Sequence, residues 1–334
     1  MSRARCITGS VARELERRGV VARRLGPRGR CLPVGAYWWT GAKNFGDLLT
    51  PTLLPRVGVA PILRGPGEAE LFGPGSVIHH VQPGFSGWVW GSGMCFGDGR
   101  KLHLDGARVH LVRGELTRQA GDLDDSVPLG DPGLLADELV TKRTIPAHPS
   151  RVERKNKHGI AVVGHIWHKD IPEFVQLRER IGGFKFIDAA RNPGAVARDI
   201  ASSQVVLTTS LHGLIFADGL GIPATWALPQ PQVPGGDFKF HDHETVVGDS
   251  RCQDWRRCVI SDIRGPDQLL GLARRANPDK VAQTKSVIQV TRRRLAEELA
   301  GHEMCSAALL LPSAGLPEQG CKAREAMTPD RIAG

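Results

Sequence analysis

Ser210-Leu211-His212-Gly213 follows directly on the apolar run Val205 to Leu207 and opens a further apolar stretch that ends at Pro223. A strand ending in Thr208, Thr209 and Ser210 that turns through a glycine into a helix leaves backbone N–H groups unpaired above the turn, a ready anion site. His212 at that spot either caps the helix or exchanges a proton near neutral pH. Asn44-Phe45-Gly46-Asp47 occupies a similar position after the run Val34 to Trp39. There Asp47 is either the first-turn acid of a helix Leu48 to Leu54 or a base that orients a hydroxyl, with the Asn44 amide beside it. Arg113 closes the run Val109 to Val112, where it can grip a carboxylate or phosphate with both arms or pair with Glu115. Lys239 lies between Phe238 and Phe240 and reads as a cation set at a cleft by aromatic anchors.

Three further clusters carry less chemistry. Gly91-Ser92-Gly93 after a short apolar run can present N–H groups to an anion, but it has neither a Walker lysine nor the GxGxxG spacing. His165, in Gly164-His165-Ile166-Trp167-His168, stands at the end of another apolar run. His241-Asp242-His243 offers donors two residues apart on one loop with no third at a suitable spacing, a weak case for a metal. Asp131, with Pro132 behind it, reads as the cap of the next helix.

The elements that must position these residues alternate along the chain. Val34 to Trp39, Ser76 to His79, Trp88 to Trp90 and Val109 to Val112 read as strands among helix-like segments and glycine turns, the pattern of β/α layering. A second block repeats it: strand Ile160 to Val163, helix Ile171 to Arg180, strand Phe184 to Ile187, helix Ala195 to Ser202, strand Val205 to Leu207. We therefore divide the chain into a basic leader at 1–32, a first β/α domain at 33–145, a second at 155–265, helices at 266–302 and a disordered tail at 303–334. The linker falls in Thr141 to His158, which has two prolines and little apolar content. In the helical region Leu269, Leu270, Leu272 and Ala273, then Val287, Val290, Leu295 and Leu299, supply the apolar faces. Paired open parallel sheets collect ligands at the C-terminal ends of their strands, where the clusters above stand.

A length of 334 residues suits two domains, and 41% hydrophobic with 24% charged residues is ordinary globular composition. No apolar stretch nears the roughly 18 residues of a membrane span, so the expectation is a cytoplasmic protein. Seven scattered cysteines without paired CxxC motifs indicate free thiols rather than a zinc site. The net charge of +9 sits largely in the arginine-rich leader and around Arg151 to Lys157, without interleaved aromatics or a nucleic-acid motif. That disfavours nucleic acid and leaves solvated basic faces, or attraction of anionic substrates or of an anionic membrane surface.

Taken in order, NFGD (44–47), WGSG (90–93), VRGELT (112–117), GDPGLL (130–135), SLHGLIFADGLGIP (210–223) and FKF (238–240) resemble the polysaccharide pyruvyltransferase family over roughly residues 34 to 250. The resemblance implies an α/β fold of two Rossmann-like domains with a cleft between them, similar to glycosyltransferase type B. It implies a transferase that moves the pyruvyl group of phosphoenolpyruvate onto a sugar as a ketal, in exopolysaccharide or other cell-envelope biosynthesis, with no metal and no cofactor. His212 is then the acid, Asp47 the group that orients or deprotonates the acceptor hydroxyl, and Arg113 and Lys239, with the amides of Gly213 and Leu214, the holders of phosphate and carboxylate. Asn44, Gly91, Ser92, His165 and Ser210 complete the expected substrate contacts. Some members carry arginine where Ser210 stands, so that contact falls to Arg113 or Lys239. The implied partners are phosphoenolpyruvate and a saccharide acceptor, including one carried on lipid at the inner membrane face. A nucleotide-sugar glycosyltransferase gripping ribose through Asp188 or Asp218, or a glycan-binding relative without activity, are the alternatives.

Overall fold

The computed structural model describes residues 32–140, 159–248 and 254–302. The basic leader to residue 31, the linker 141–158 and the tail 303–334 lie outside the described residues. The described chain is mixed α/β with two parallel sheets, consistent with Rossmann-like layering. The first sheet holds β1 (Leu32–Tyr37), β2 (Val59–Leu63), β3 (Leu71–Phe72), β4 (Trp88–Ser92) and β5 (Arg108–Val112), in the order β2-β1-β3-β4-β5. The second holds β6 (Ile160–Gly164), β7 (Lys185–Asp188), β8 (Val205–Thr208) and β9 (Ala224–Trp226), in the order β7-β6-β8-β9. Every paired strand within both sheets is parallel. Their near-continuous apolar runs follow from that arrangement, since strands such as Ile160–Gly164 are buried along their whole length.

Helices α1 (Leu49–Leu53), α2 (Glu115–Ala120), α3 (Pro172–Arg180), α4 (Pro193–Ala201), α5 (Leu211–Gly219), α6 (Phe238–Val247), α7 (Pro266–Leu272) and α8 (Pro278–Gly301) connect and cover the strands. Several begin on proline at the first turn, where the missing N–H costs nothing, and Asn192 and Asn277 cap α4 and α8 through their side chains. Asp131 caps the 3₁₀ segment Pro132–Leu139 by accepting from the Gly133 N–H, as expected.

Three local expectations are corrected, and strands that the sequence did not announce are added. Ser76 to His79 is no strand; after Gly75, at φ +124°, the chain turns through the 3₁₀ segment Ile78–His80, and the sheet position is filled by β3. Short β2 and β9 carry no clear alternation, and β2 tolerates Pro61 because it is an edge strand. The FKF-to-HDH stretch is helix rather than loop. In α8 the buried stripe is Val281, Ile288, Leu295 and Leu299, whereas Val290 points to solvent.

Helix α8, about 36 Å long, returns from the second half to the first sheet. Thr291 accepts from the Trp90 indole N–H (3.2 Å), and Arg292 holds Glu138 with both arms at 2.9 Å. A second tie is deeper. Arg113, at the end of β5, is fully buried and donates through Nε to Asp242 Oδ2 of α6 (2.8 Å), through Nη1 to Ser76 Oγ (2.8 Å) and through Nη2 to the Met94 carbonyl. Asp242 also accepts from the Thr117 N–H (2.9 Å) and hydroxyl (2.6 Å), so the carboxylate closes the start of α2. Gly114 is obligatory here, since a Cβ would stand 1.9 Å from the Asp242 carbonyl. Removing one partner of such a desolvated pair leaves the other charge uncompensated. Arg113→Met is expected to lower unfolding free energy by about 3–5 kcal/mol, read from denaturant unfolding; a loss under 1 kcal/mol would mean that the pair contributes no more than a surface bridge.

Candidate functional site

In both sheets the strand order reverses beside the first strand, between β1 and β3 and between β6 and β8. Connections leave such a point in opposite directions and open a crevice at the strands' C-terminal ends. One cavity of about 330 Å³ is lined from both points: Trp39, Asn44 and Asp47 after β1, Ser76 and Val77 after β3, His165, Ile166 and Trp167 after β6, and Ser210, Leu211 and His212 after β8. Lys239 of α6 and Cys95, Phe96, His79 and His80 complete much of the wall. A larger cavity, of about 760 Å³, lies at the start of β4 and β5, where His110 and Glu298 satisfy each other at 3.0 Å.

The Asn44 to Asp47 turn is pressed onto the second sheet's elements by Phe45. Its ring packs on Phe216 (5.0 Å between centroids) and near His212 (6.2 Å), and its N–H donates to the Ala189 carbonyl (2.8 Å). Gly46 lets the two sides touch, because a Cβ there would fall 2.2 Å from His212 Nδ1. Asn44 Oδ1 accepts from the Gly46 N–H. Asp47 does not cap α1, whose cap residue is Leu48 with no side-chain bond. Its carboxyl is buried at the cavity instead, and burial pushes its pKa up to about 7, against the lowering effect of the Asn44 hydrogen bond and the Lys239 charge.

Across the cavity, Thr208 Oγ1 accepts from the Ser210 N–H (3.0 Å) and so fixes the turn into α5. The amides of Gly213 and Leu214 donate to the Ser210 carbonyl (3.0 and 3.3 Å), and Gly213 is a packing glycine against Thr208. The first-turn amides left without an intrahelical partner are therefore those of Leu211 and His212, two residues earlier than expected. His212 is buried; its Nε2 lies 3.6 Å from Asp131 Oδ2, and both atoms are enclosed without a hydrogen bond. Burial lowers its pKa, Asp131 works against that, and the charges of Arg113, His243 and Lys239 add to the lowering.

Lys239 Nζ donates to the Pro234 carbonyl (3.0 Å). Burial draws its pKa down to about 8, with Arg113 acting the same way and Cys95 and Asp47 opposing. The His165 N–H donates to Thr209 Oγ1 (2.8 Å) and its ring meets Trp167 edge-on; burial, Lys239 and His168 hold the imidazole neutral, with a pKa of about 3. Trp167 is 42% exposed at the rim.

The structure thus brings together Asp47, His212, Lys239, Asn44, Ser210 and His165. It does not bring Arg113, Gly91 or Ser92 to the cavity. Arg113 is consumed by Asp242, Ser76 and Met94 and reaches the wall only through Ser76, while Glu115 pairs with Arg118. Gly91, at φ +75°, lies against Pro132, and the Ser92 hydroxyl donates to the Gly75 carbonyl. The side chains of 241–243 diverge: His241 goes to Asp254, Asp242 to Arg113 and His243 to Asp218. Asp218 is fully buried against Arg256 and His243, and Asp188 accepts from the Ala190 N–H. Sequence reasoning missed Trp39, His79 and Cys95 as parts of the cavity wall, with nearness to strand ends as their only signal, and read Asp131 as a helix cap alone.

Residues 89–228 match the family model of polysaccharide pyruvyl transferase. The resemblance drawn from the motifs is thus shown over that stretch, which contains His165, Ser210 and His212 and stops short of Asp47 and Lys239. An uncharacterized protein of Acanthamoeba polyphaga mimivirus is 31% identical over 157 residues, 45% of this chain and 52% of the relative. The chain spans about half the length of that curated relative. No solved structure matches. Among the described residues no helix is long and apolar enough to cross a membrane.

The Asp47 shift sets a pH dependence. Its folded pKa lies above the unfolded value of 3.8, so the folded state holds the extra proton and the associated stability is lost as pH rises from about 4 through about 7. Asp47→Asn keeps the shape and removes the buried charge. It is expected to raise the melting temperature by several degrees at pH 8 and by much less at pH 5, measured by thermal unfolding; equal gains at both pH values would refute a buried carboxylate titrating in this range.

Proposed function

We propose that the chain transfers the pyruvyl group of phosphoenolpyruvate to two hydroxyls of a saccharide, forming a ketal and releasing phosphate. The observation that supports it best is the meeting of Asp47, His212 and Lys239 in one small cavity fed by the strand ends of both sheets. A buried carboxylate, imidazole and ammonium without mutual saturation are costly to hold unless chemistry uses them. The family match supplies the reaction class, and the cavity's charge fits a small phosphorylated acid. The two halves, 33–145 and 155–265, would then be Rossmann-like domains facing each other across this cleft, as in glycosyltransferases of type B.

In the reaction, a proton adds to the methylene carbon of the enol phosphate and C2 becomes oxocarbenium-like. The first sugar hydroxyl bonds to C2 as its proton passes to a base. The C2–O bond to phosphate then breaks with its electron pair on phosphate, and the second hydroxyl closes the ketal. The two hydroxyl protons end on the new methyl group and on phosphate. We assign proton donation to His212 and orientation or deprotonation of the acceptor hydroxyl to Asp47. Lys239, with the Leu211 and His212 amides, holds the anionic groups of the donor. The acceptor lies toward the aromatic side, with Trp39 and the exposed Trp167 as stacking faces for the sugar. A lipid-linked acceptor at the inner membrane face fits this reading, with the chain in the cytoplasm. A nucleotide-sugar glycosyltransferase is less well supported, because Asp218 and Asp188 are already engaged.

Phosphoenolpyruvate is expected to raise the melting temperature where nucleotide sugars do not, and phosphate release should require a saccharide acceptor. His212→Ala should reduce turnover by at least about 100-fold. Trp167→Ala should raise the acceptor KM several-fold and leave the donor KM unchanged. Absence of phosphate release with a broad acceptor panel, together with stabilisation by a nucleotide sugar, would overturn the assignment.

A further inference from the structure

His212 and Asp131 come from different elements, the first turn of α5 and the cap of the 3₁₀ segment Pro132–Leu139, and are 81 positions apart in sequence. Their side chains nevertheless face each other in the interior, Nε2 to Oδ2 at 3.6 Å. Asp131 is fully buried, and its two oxygens are divided in use. Oδ1 accepts from the Gly133 N–H at 2.8 Å, which completes the cap, while Oδ2 has no hydrogen bond and is aimed at the imidazole. The imidazole is likewise divided. Nε2 is enclosed without a hydrogen bond, whereas the Nδ1 edge lies along Gly46, beside the turn that carries Asp47.

We infer that Asp131 is a positioning residue that holds the Nε2–H tautomer of His212, making Nδ1 the nitrogen that exchanges a proton with substrate. A carboxylate facing one ring nitrogen orients the ring, selects the tautomer and stabilises the imidazolium. The distance of 3.6 Å is longer than a formed hydrogen bond, and catalytic contacts of this kind commonly tighten when substrate binds. The charged groups that act on His212 are Asp131, Arg113, His243 and Lys239. Of these, only Asp131 favours the imidazolium, so its loss disfavours the acid form without an obvious substitute.

The part of this inference that concerns turnover rests on the proposed reaction; the part that concerns the tautomer does not. Asp131→Asn is the informative variant, because the amide oxygen can keep the Gly133 cap while the NH₂ group faces Nε2 and reverses the tautomer. Nitrogen-15 NMR of the full chain, with the His212 signals assigned by loss in His212→Gln, should show Nε2 protonated and Nδ1 bare at pH 8. In Asp131→Asn the two should exchange. In turnover with phosphoenolpyruvate and a saccharide acceptor, Asp131→Asn should lower kcat about 100- to 10,000-fold with little change in KM, and move the alkaline limb of kcat/KM to lower pH. Asp131→Glu should restore part of kcat. Protonation at Nδ1 in the unmodified chain, or a tautomer unchanged in a folded Asp131→Asn, would overturn the inference. Should the donor not be consumed at all, the proposed function fails, while the NMR comparison still decides the tautomer.

Discussion

The buried pair of Arg113 and Asp242 fixes the frame in which the rest of the site is arranged. Its charges are fully withdrawn from water, and every nitrogen of the guanidinium has a partner. One partner, Ser76, lines the cavity, and another, Asp242, lies one turn along α6 from Lys239. A residue three positions away on a helix lies on nearly the same face. Tying Asp242 down therefore fixes the helix face from which Lys239 projects, and the Pro234 carbonyl holds its ammonium. The pair is an orienting device between the first sheet and α6, and as a source of net stability it is expected to be modest against an apolar substitute for both partners.

Phe45 performs the same service for the other wall. Its ring fills the space beside Phe216, and Gly46 then has to pass directly over His212. Gly46, Gly93 and Gly114 each stand where a Cβ would meet a site-forming side chain or backbone atom, namely His212, Arg113 and Asp242. In these motifs glycine serves close approach between protein groups as much as approach to a ligand. This is why the Gly91-Ser92-Gly93 turn looked like an anion site and is instead packed shut.

That distinction marks how far the sequence could be read. Long apolar runs at Ile160 to Val163 and Val205 to Leu207 announced parallel strands, and helices opened on proline were legible within a residue or two. Elements of two or three residues, β3 and β9, carry too little pattern to be seen, and Pro61 hid an edge strand. At the site, Asp47, His212 and Lys239 were legible because each stands in a motif at an element boundary. The fate of Arg113 was not, since a guanidinium beside a strand end looks the same whether its partner is a substrate or Asp242, which lies 129 positions away. Asp131 was visible as a cap, but the use of its second oxygen depends on how α5 packs against Pro132–Leu139, a contact without a local signature.

Burial is what shifts the protonation of these residues away from their surface values. It pushes Asp47 up and pulls Lys239 and His212 down, so groups that would be fully charged or fully neutral on a surface are brought within reach of each other's protons. On the proposed reading, the donor itself supplies the missing term. A phosphate and a carboxylate placed beside Lys239 and His212 would favour the charged form of both, and the same charges would hold the nearby Asp47 carboxyl toward its protonated form. The acid would then be armed by arrival of the substrate it protonates, and Asp47, protonated at that stage, would orient the acceptor hydroxyl and could take its proton only after releasing its own. In that sequence the order of events is set by charge: donor before acceptor, and protonation of carbon before closure of the ketal.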